Sequence, residues 1–413
     1  MFKNIFRREY YFNRIKGFIN SDIIKVVTGI RRCGKSSFMK SIVNYLLEIG
    51  IDNKDIIYIN LDEKGYRYIK KDSELEKIID NKVSDNDFKY LFIDEIQNVN
   101  NFEPLINAYR ETGNFSIFIT GSNSYLLSGE LITKLTGRYI EIEMFALNFK
   151  EYLDMKKFYN KAIDSNPYKE LEHYILNGGF PQVIEFDNQN DKELYIKDVL
   201  NQIIKKDIKR HNKIKNVSVF ERVLRYIINN FGATCNLSNI LRYFNDEEKI
   251  PITQETLYKY IRIIEDAKII YRCNRFDLRS KKSLKGEQKY YLSDLGICYA
   301  TNVDKRINYG PVLENIIYTY LSSKGYDLSI GKIGTLECDF ITLKNLTYHY
   351  IQVATSIADK KVEDREYIVF YKIKDNYPKY LFTLDPLRQY REGIIHENII
   401  DFITGDNDLH SSD

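Results

Sequence analysis

An α/β protein built on a parallel sheet is what the first third of this chain predicts, on three observations. Apolar, β-rich runs at IIKVVTG (23–29), KYLFIDEIQNV (89–99) and FSIFITGSNS (115–124) each lead into glycine, carboxylate or small polar residues. Buried strands that end this way gather their polar groups at the carboxyl edge of one sheet. Helical patterns lie between them, the clearest placing Phe38, Ile42, Tyr45 and Leu46 on one face. Such strand–helix alternation makes a parallel sheet covered by helices.

The first run feeds Gly29-x4-Gly34-Lys35-Ser36, the spacing of a P-loop. Its glycines let backbone N–H groups turn inward around phosphate oxygens, and the helix starting near Lys35 adds its positive end. The candidate nucleotide contacts are Gly29, Ile30, Arg31, Arg32, Cys33, Gly34, Lys35, Ser36 and Ser37. Lys35 would reach the β- and γ-phosphates, and Ser36 would ligate Mg²⁺. Arg31 and Arg32 either contact nucleotide or stand in solvent. An ordinary Gly-rich turn also matches so short a pattern, but the second run ends in Asp94-Glu95, which reads as a Walker B element. Asp94 would hold the Mg²⁺ shell, and Glu95 would orient and deprotonate the attacking water. The implied activity is ATP hydrolysis, with ATP and Mg²⁺ as ligands. After the third run, Ser122 or Asn123 is a candidate sensor of the γ-phosphate. Arg138, in LTGRYIEIEMFALNF (135–149), is either an arginine finger acting on a neighbouring subunit or half of a surface ion pair.

TGIRRCGKSS, FIDEIQNV, FITGSNS and TGRYIEIEMFALNFKEY resemble the prokaryotic AAA-type ATPases that carry a C-terminal DUF4143 domain. NGGFPQV (177–183), KKDIKRHNKI (205–214), RFDLRSKKSLKGEQKYYLSDLGI (275–297) and YGPVLENIIYTYL (309–321) follow in that family's order. The resemblance covers most of the chain. It implies a P-loop ATPase over 1–150, a helical lid, a winged-helix module and a restriction-endonuclease-like tail.

The residues beyond 150 read compatibly. Residues 151–215 are helical apart from Gly178-Gly179 and Pro181, as a lid would be. Within them Lys205, Lys206, Lys209, Arg210, Lys213 and Lys215 make either a solvated helix face or a phosphate-contacting strip. Residues 216–300 predict three helices and a β-hairpin. Val219, Val223, Ile227 and Phe231 mark the first helix, NILRYF the second, and Thr253 caps the third. Three helices and a hairpin make a winged helix, whose third helix can enter a DNA major groove; it offers Gln254, Lys259 and Arg262. In the hairpin loop, Arg279, Lys281, Lys282 and Lys285 would grip phosphates. A protein partner is the other reading of such a module.

The tail, 301–413, carries Glu314 on a helix, then Asp339 and Gln352 on successive strands. That is the order of a restriction-endonuclease-like α/β site, in which carboxylates bind Mg²⁺ and a lysine follows two residues later. Here that position is Ala354, so the site reads as degenerate, with an interaction domain favoured over a residual nuclease.

Composition narrows the classes. At 413 residues the chain exceeds one ordinary core. A net charge of +3 confines any nucleic-acid surface to a local patch. Five scattered cysteines and five dispersed histidines argue against a disulfide framework or a structural zinc site, and for a reducing cytoplasm. No signal peptide and no membrane span are expected. The combined expectation is an ATP-driven switch that binds DNA or a protein, and that self-assembles if Arg138 acts in trans. An ATP-regulated nuclease and an ATP-sensing scaffold are the alternatives.

Overall fold

The computed structural model describes residues 2–83, 87–121, 137–209, 212–278, 280, 282–387 and 389–409, with backbone alone at 283–286. The chain divides into two compact units, one of residues 1–146 with 202–212, the other of 147–201 with 213–413.

The first unit holds a five-stranded sheet. Its strands are β1 (Ile24–Gly29), β2 (Ile56–Asn60), β3 (Lys89–Asp94), β4 (Phe115–Thr120) and β5 (Tyr139–Met144), in the order β2-β3-β4-β1-β5. Every pairing is parallel. Helices α1 (Glu9–Lys16), α2 (Lys35–Glu48), α3 (Asp72–Lys82) and α4 (Phe102–Glu111) cover it. One face is sealed by Ile24, Val26, Leu91, Ile93, Ile117 and Ile119 against Leu75, Ile79, Leu105 and Ile106. On the other face Phe92 stacks on Phe118 with ring centroids 4.5 Å apart, and Phe38, Met39 and Ile42 of α2 are fully buried. β1, β3 and β4 have no exposed position, which is why their sequences run apolar without alternation. Because β4 is inserted between β1 and β3, the polar residues that end these three strands meet on one edge.

The second unit is assembled on a nine-stranded mixed sheet. In chain order its strands are β6 (Thr234–Cys235), β7 (Ile270–Asp277), β8 (Lys282–Leu292), β9 (Asp327–Ile333), β10 (Leu336–Lys344), β11 (Thr347–Val353), β12 (Lys379–Thr383), β13 (Gln389–Arg391) and β14 (Ile394–Asn398). They lie in the order β13-β14-β12-β11-β10-β9-β7-β8-β6. Its helices are α5 (Phe149–Phe158), α6 (Pro167–Asn177), α7 (Gln189–Gln202), α8 (Val217–Asn229), α9 (Leu237–Arg242), α10 (Gln254–Asp266), α11 (Leu295–Thr301), α12 (Tyr309–Ser323), α13 (Lys360–Lys372) and α14 (Ile399–Thr404). Thr253 caps α10 by accepting from Thr256 N–H at 3.2 Å.

Two features differ from the sequence reading. The basic stretch between β7 and β8 is mostly strand: Lys282 pairs with Asp277, so the connection shortens to 278–281. The β7–β8 hairpin is also not a free wing, because β7 pairs in parallel with β9 through Arg275–Ile330, Phe276–Gly331 and Asp277–Lys332. Strands from before and after residue 300 therefore share one sheet. The Gly178-Gly179 break has a steric cause: a Cβ on Gly178 would strike the Asp294 carboxylate, and one on Gly179 the Leu147 carbonyl. Gly179 N–H donates to Asp294 at 2.6 Å.

Candidate functional site

At the carboxyl edge of the first sheet, β1 turns into α2 through the phosphate-loop residues. Gly29 has φ 137° and its missing Cβ leaves room for the Met144 carbonyl of β5. Gly34 takes φ 104° at the start of α2, and Arg32 is left-handed at φ 69°. These turns curl the loop into the start of α2, the arrangement in which backbone N–H groups and a helix N-terminus can cradle a phosphate. Lys35 is buried, its ammonium donating to the Gly29 carbonyl at 2.8 Å and the Ile30 carbonyl at 3.2 Å. Ser36 is half-buried and Ser37 exposed; Ile30 and Cys33 are buried beneath the loop.

The acids stand at the end of β3, across β4 on the same sheet edge. Asp94 is buried, accepting from Tyr58 O–H at 3.3 Å and from Thr120 O–H. Thr120 Oγ1 accepts in turn from Glu95 N–H at 3.1 Å, so one hydroxyl fixes both acids. Glu95 takes φ 60°, and Gln97 donates to its carboxylate at 2.5 Å. Burial pushes the Glu95 carboxyl above the ordinary carboxylate range; the Lys35 and Arg31 charges and the Gln97 bond pull against this, and Asp94 adds to it.

Several contacts here are not legible in the motifs. Arg8, buried ahead of α1, donates to the Phe145 carbonyl at 2.7 Å and to the Cys33 carbonyl at 3.3 Å, pinning the loop from outside. Arg31 forks onto Asp207, Nε to Oδ2 at 2.8 Å and Nη2 to Oδ1 at 2.7 Å. Asp207 lies in a π-helical turn, Ile203–Ile208, with Ile203, Ile204 and Ile208 buried beside it. Lys205, Lys206, Lys209, Lys213 and Lys215 of the basic strip are exposed, so the buried acid among them is what meets the loop. Arg32 is exposed.

Arg138 stands apart from this edge. It precedes β5 at the opposite end of the sheet, six residues of strand, about 20 Å, from the Gly29–Met144 row. There it is exposed and paired with Glu111. It cannot act on nucleotide bound by its own chain. Ser122 and Asn123 lie outside the described residues.

In the second unit Glu314, Asp339 and Gln352 do come together. Glu314 accepts from Tyr291 O–H at 2.7 Å and from Lys289 at 2.9 Å. Asp339 accepts from Val353 N–H at 2.8 Å, and its own N–H donates to Gln352 at 2.7 Å. Gln352 donates to Glu366 at 2.9 Å. Lys289 of β8 also bridges to Glu337 at 3.0 Å, and Arg275 pairs with both Glu287 and Glu337. Burial pulls the Lys289 ammonium down, but Glu314, Asp339 and Glu337 outweigh it and hold its pKa above the ordinary lysine value. Asp339 is pushed well up by burial and by Glu314. The ammonium absent at Ala354 thus arrives from a distant strand. No group of three or more histidine, cysteine or acidic side chains among the described residues is arranged to hold a metal.

Of the DNA-facing candidates, Lys282, Gln254, Lys259 and Arg262 are exposed. Glu255 and Asp266 are exposed on the same helix, so its surface is of mixed charge. Arg279, Lys281 and the Lys285 side chain lie outside the described residues. No helix among the described residues is long and apolar enough to cross a membrane.

A β1–loop–α2 phosphate cradle beside a strand-end acid pair, on a sheet of order β2-β3-β4-β1-β5, defines a nucleotide-binding P-loop protein of the AAA class. Residues 21–153 match the AAA domain model, and 168–306 match a domain of unknown function, DUF8612. An uncharacterized protein of Haemophilus influenzae is 35% identical over 385 residues, 93% of this chain and 94% of that one. One of Methanocaldococcus jannaschii is 32% identical over 77% of this chain and 71% of its own length. Among solved structures, a Walker-type ATPase of Pyrococcus abyssi aligns over 72% of this chain and 95% of its own, with 15% identity and a TM-score of 0.49. The chain belongs to the family of the Haemophilus influenzae protein and carries an AAA domain at residues 21–153.

Proposed function

We propose that this chain hydrolyses ATP and works as a nucleotide-driven switch. The observation that carries the reading is the meeting of Lys35, Asp94 and Glu95 at one strand edge, with Thr120 holding both acids. The residues fit a Mg²⁺–nucleotide: a buried ammonium faces the loop carbonyls, and a fully buried carboxylate ends β3 on the same sheet edge. Mg²⁺ with the nucleotide would be held from Ser36 and Asp94, and supplies charge neutralisation at the phosphates. Loop N–H groups and Lys35 bind the phosphates. Glu95, its pKa raised by burial, takes a proton from the attacking water. Tyr58 and Thr120 keep Asp94 in place.

The remaining assignments belong to the same proposal. Residues 151–215 serve as a lid, and a DUF4143-type region follows, with 216–300 as a winged-helix module and 301–413 as an inactive endonuclease-like tail. The exposed Lys282, Lys259 and Arg262 support contact with DNA phosphates. Five unpaired, buried cysteines support a reducing, cytoplasmic setting. The lysine-bridged acids around Glu314 favour a structural over a nucleolytic tail.

Steady-state ATP turnover with and without duplex DNA tests the reading. Turnover that DNA raises, and that neutralising Lys282 and Lys285 returns to the DNA-free level, is the expected result. Turnover indifferent to DNA redirects the switch to a protein partner, and no turnover under either condition contradicts the enzyme reading.

A further inference from the structure

The second unit holds a hollow that neither the nucleotide site nor the duplex-contact reading uses. Its volume is about 460 Å³, within the roughly 300–1,000 Å³ of ligand sites. From α8 it is lined by Arg222, Arg225, Tyr226 and Asn229. Their spacing of three, four and seven residues puts all four on one face of the helix. Phe220, Val223, Leu224 and Ile227 turn the other face into the core. The second wall is the turn after α9, π-helical over Tyr243–Glu247. There Glu248 N–H donates to the Tyr243 carbonyl at 3.0 Å, five residues back, which sets the two side chains over one another.

One acid ties the two walls together. Tyr243 O–H donates to Glu248 Oε1 at 2.9 Å, and Arg222 Nη1 donates to Glu248 Oε2 at 2.9 Å. The Tyr226 and Tyr243 ring centroids lie 4.7 Å apart, with the buried Phe244 ring against both. The lining is therefore held in place before any ligand arrives. Two guanidiniums against one carboxylate leave it an excess of one positive charge. Because Arg222 and Tyr243 are engaged with Glu248, the groups left for a ligand are Arg225, Asn229 and the Tyr226 hydroxyl. None of these three side-chain groups has a hydrogen-bond or ion-pair partner among the described residues.

A guanidinium, two half-buried tyrosine rings and an amide match an anion that carries a flat, hydrogen-bonding ring. A nucleotide is such an anion: arginine meets its phosphate, an aromatic ring stacks on its base and an amide reads the base edge. A base within a duplex is stacked on both faces and paired at its edge, so only an unpaired one can enter. Arg222, Arg225, Asn229 and Glu248 are exposed, so the rim is open and a strand can run past it on either side. We propose that this hollow binds an unpaired nucleotide of single-stranded DNA, its phosphate on Arg225 and its base against Tyr226 and Tyr243, with Asn229 at the base edge. The inference deepens the reading of 216–300 as a DNA-contacting module, yet it uses none of the residues that reading rests on.

The test is fluorescence anisotropy of the full chain with three labelled probes: an oligothymidine strand, the same strand with its bases removed, and a duplex of equal length. Wild type should bind oligothymidine about tenfold more tightly than the abasic strand, the contribution of one stacked base. Arg225→Gln should weaken oligothymidine binding about tenfold, the loss of one charge-assisted contact. It should also flatten the log–log salt dependence by about 0.7, the share of one phosphate on a single strand. Duplex affinity should be unchanged in that variant. Tyr226→Leu should remove most of the preference for bases; if it does not fold, Arg225→Gln, at an exposed position, decides alone. Equal affinity for the abasic strand, Arg225→Gln binding as wild type does, or an equal loss on strand and duplex overturns the proposal. Lys282→Gln run alongside separates the two claims. Duplex loss in Lys282→Gln with Arg225→Gln silent removes this site alone. Strand loss in Arg225→Gln with Lys282→Gln silent on the duplex removes the duplex reading alone.

Discussion

The two units each gather buried charges, and they do so for opposite ends. At the phosphate loop, Lys35 bonds among the described residues only to backbone carbonyls, and Glu95 is raised in pKa. Around Glu314 the charges answer one another: Lys289 bridges Glu314 and Glu337, Arg275 pairs with Glu287 and Glu337, and Gln352 links Asp339 to Glu366. The first arrangement keeps charge available for a ligand. The second satisfies its charge within the protein, so its side chains contribute to folding. Burial alone therefore does not mark a reactive site; what matters is whether the partners of the buried charge come from the chain.

That contrast breaks if the second cluster tolerates loss of its lysine. Lys289→Met should strand buried carboxylates and lower the unfolding free energy of its unit by about 3 kcal/mol, a cost typical of breaking a buried pair. Urea denaturation measures it, and a change below about 0.5 kcal/mol would place these charges in water rather than in a mutual network. At the phosphate loop the corresponding change, Lys35→Ala, should weaken Mg²⁺–ADP binding about thirtyfold, the loss of charged hydrogen bonds to phosphate. Calorimetry reads it, and the fold should be unaffected.

The pH dependence sharpens the comparison further. Because the Glu95 pKa is raised, its base form is lost as pH falls through a value above the usual carboxylate range, and turnover should fall with it. Gln97 donates to that carboxylate and lowers its pKa, so Gln97→Ala should move the acid limb of the kcat profile to higher pH. A limb that moves down, or stays, removes Glu95 as the titrating group. The smallest effect is expected at Arg138, where Arg138→Ala breaks an exposed pair with Glu111 and should leave turnover within about twofold. A large loss there would mean that Arg138 completes the site of a second copy.

How much of this the sequence carried depends on how local each site is. Gly29 to Ser37 is one turn, so its spacing is its geometry, and Asp94-Glu95 is legible because a strand end needs no partner to be recognised. Thr120 sits within the third run, but the small polar residues after it drew the sensor assignment to Ser122 and Asn123. Arg8, Asp207 and Lys289 are different. Each acts across 25 residues or more, and only the folded neighbours select them. Counting along the strand of Gln352 leads to Ala354, while the ammonium comes from β8, a strand placed by the sheet order β10-β9-β7-β8. The hairpin was legible as two strands, yet its pairing with β9 was not, because edge hydrogen bonds leave no periodic mark.

The central claim is that Glu95 activates water for attack on bound ATP, and single-turnover cleavage at saturating enzyme tests it most directly. Wild type and Glu95→Gln should bind Mg²⁺–AMPPNP with matching affinity, while the cleavage rate of the variant falls by about 10²–10⁴-fold, the range for loss of a general base. Equal cleavage rates at matched occupancy would contradict the account and transfer the role of base to another group at the strand edge.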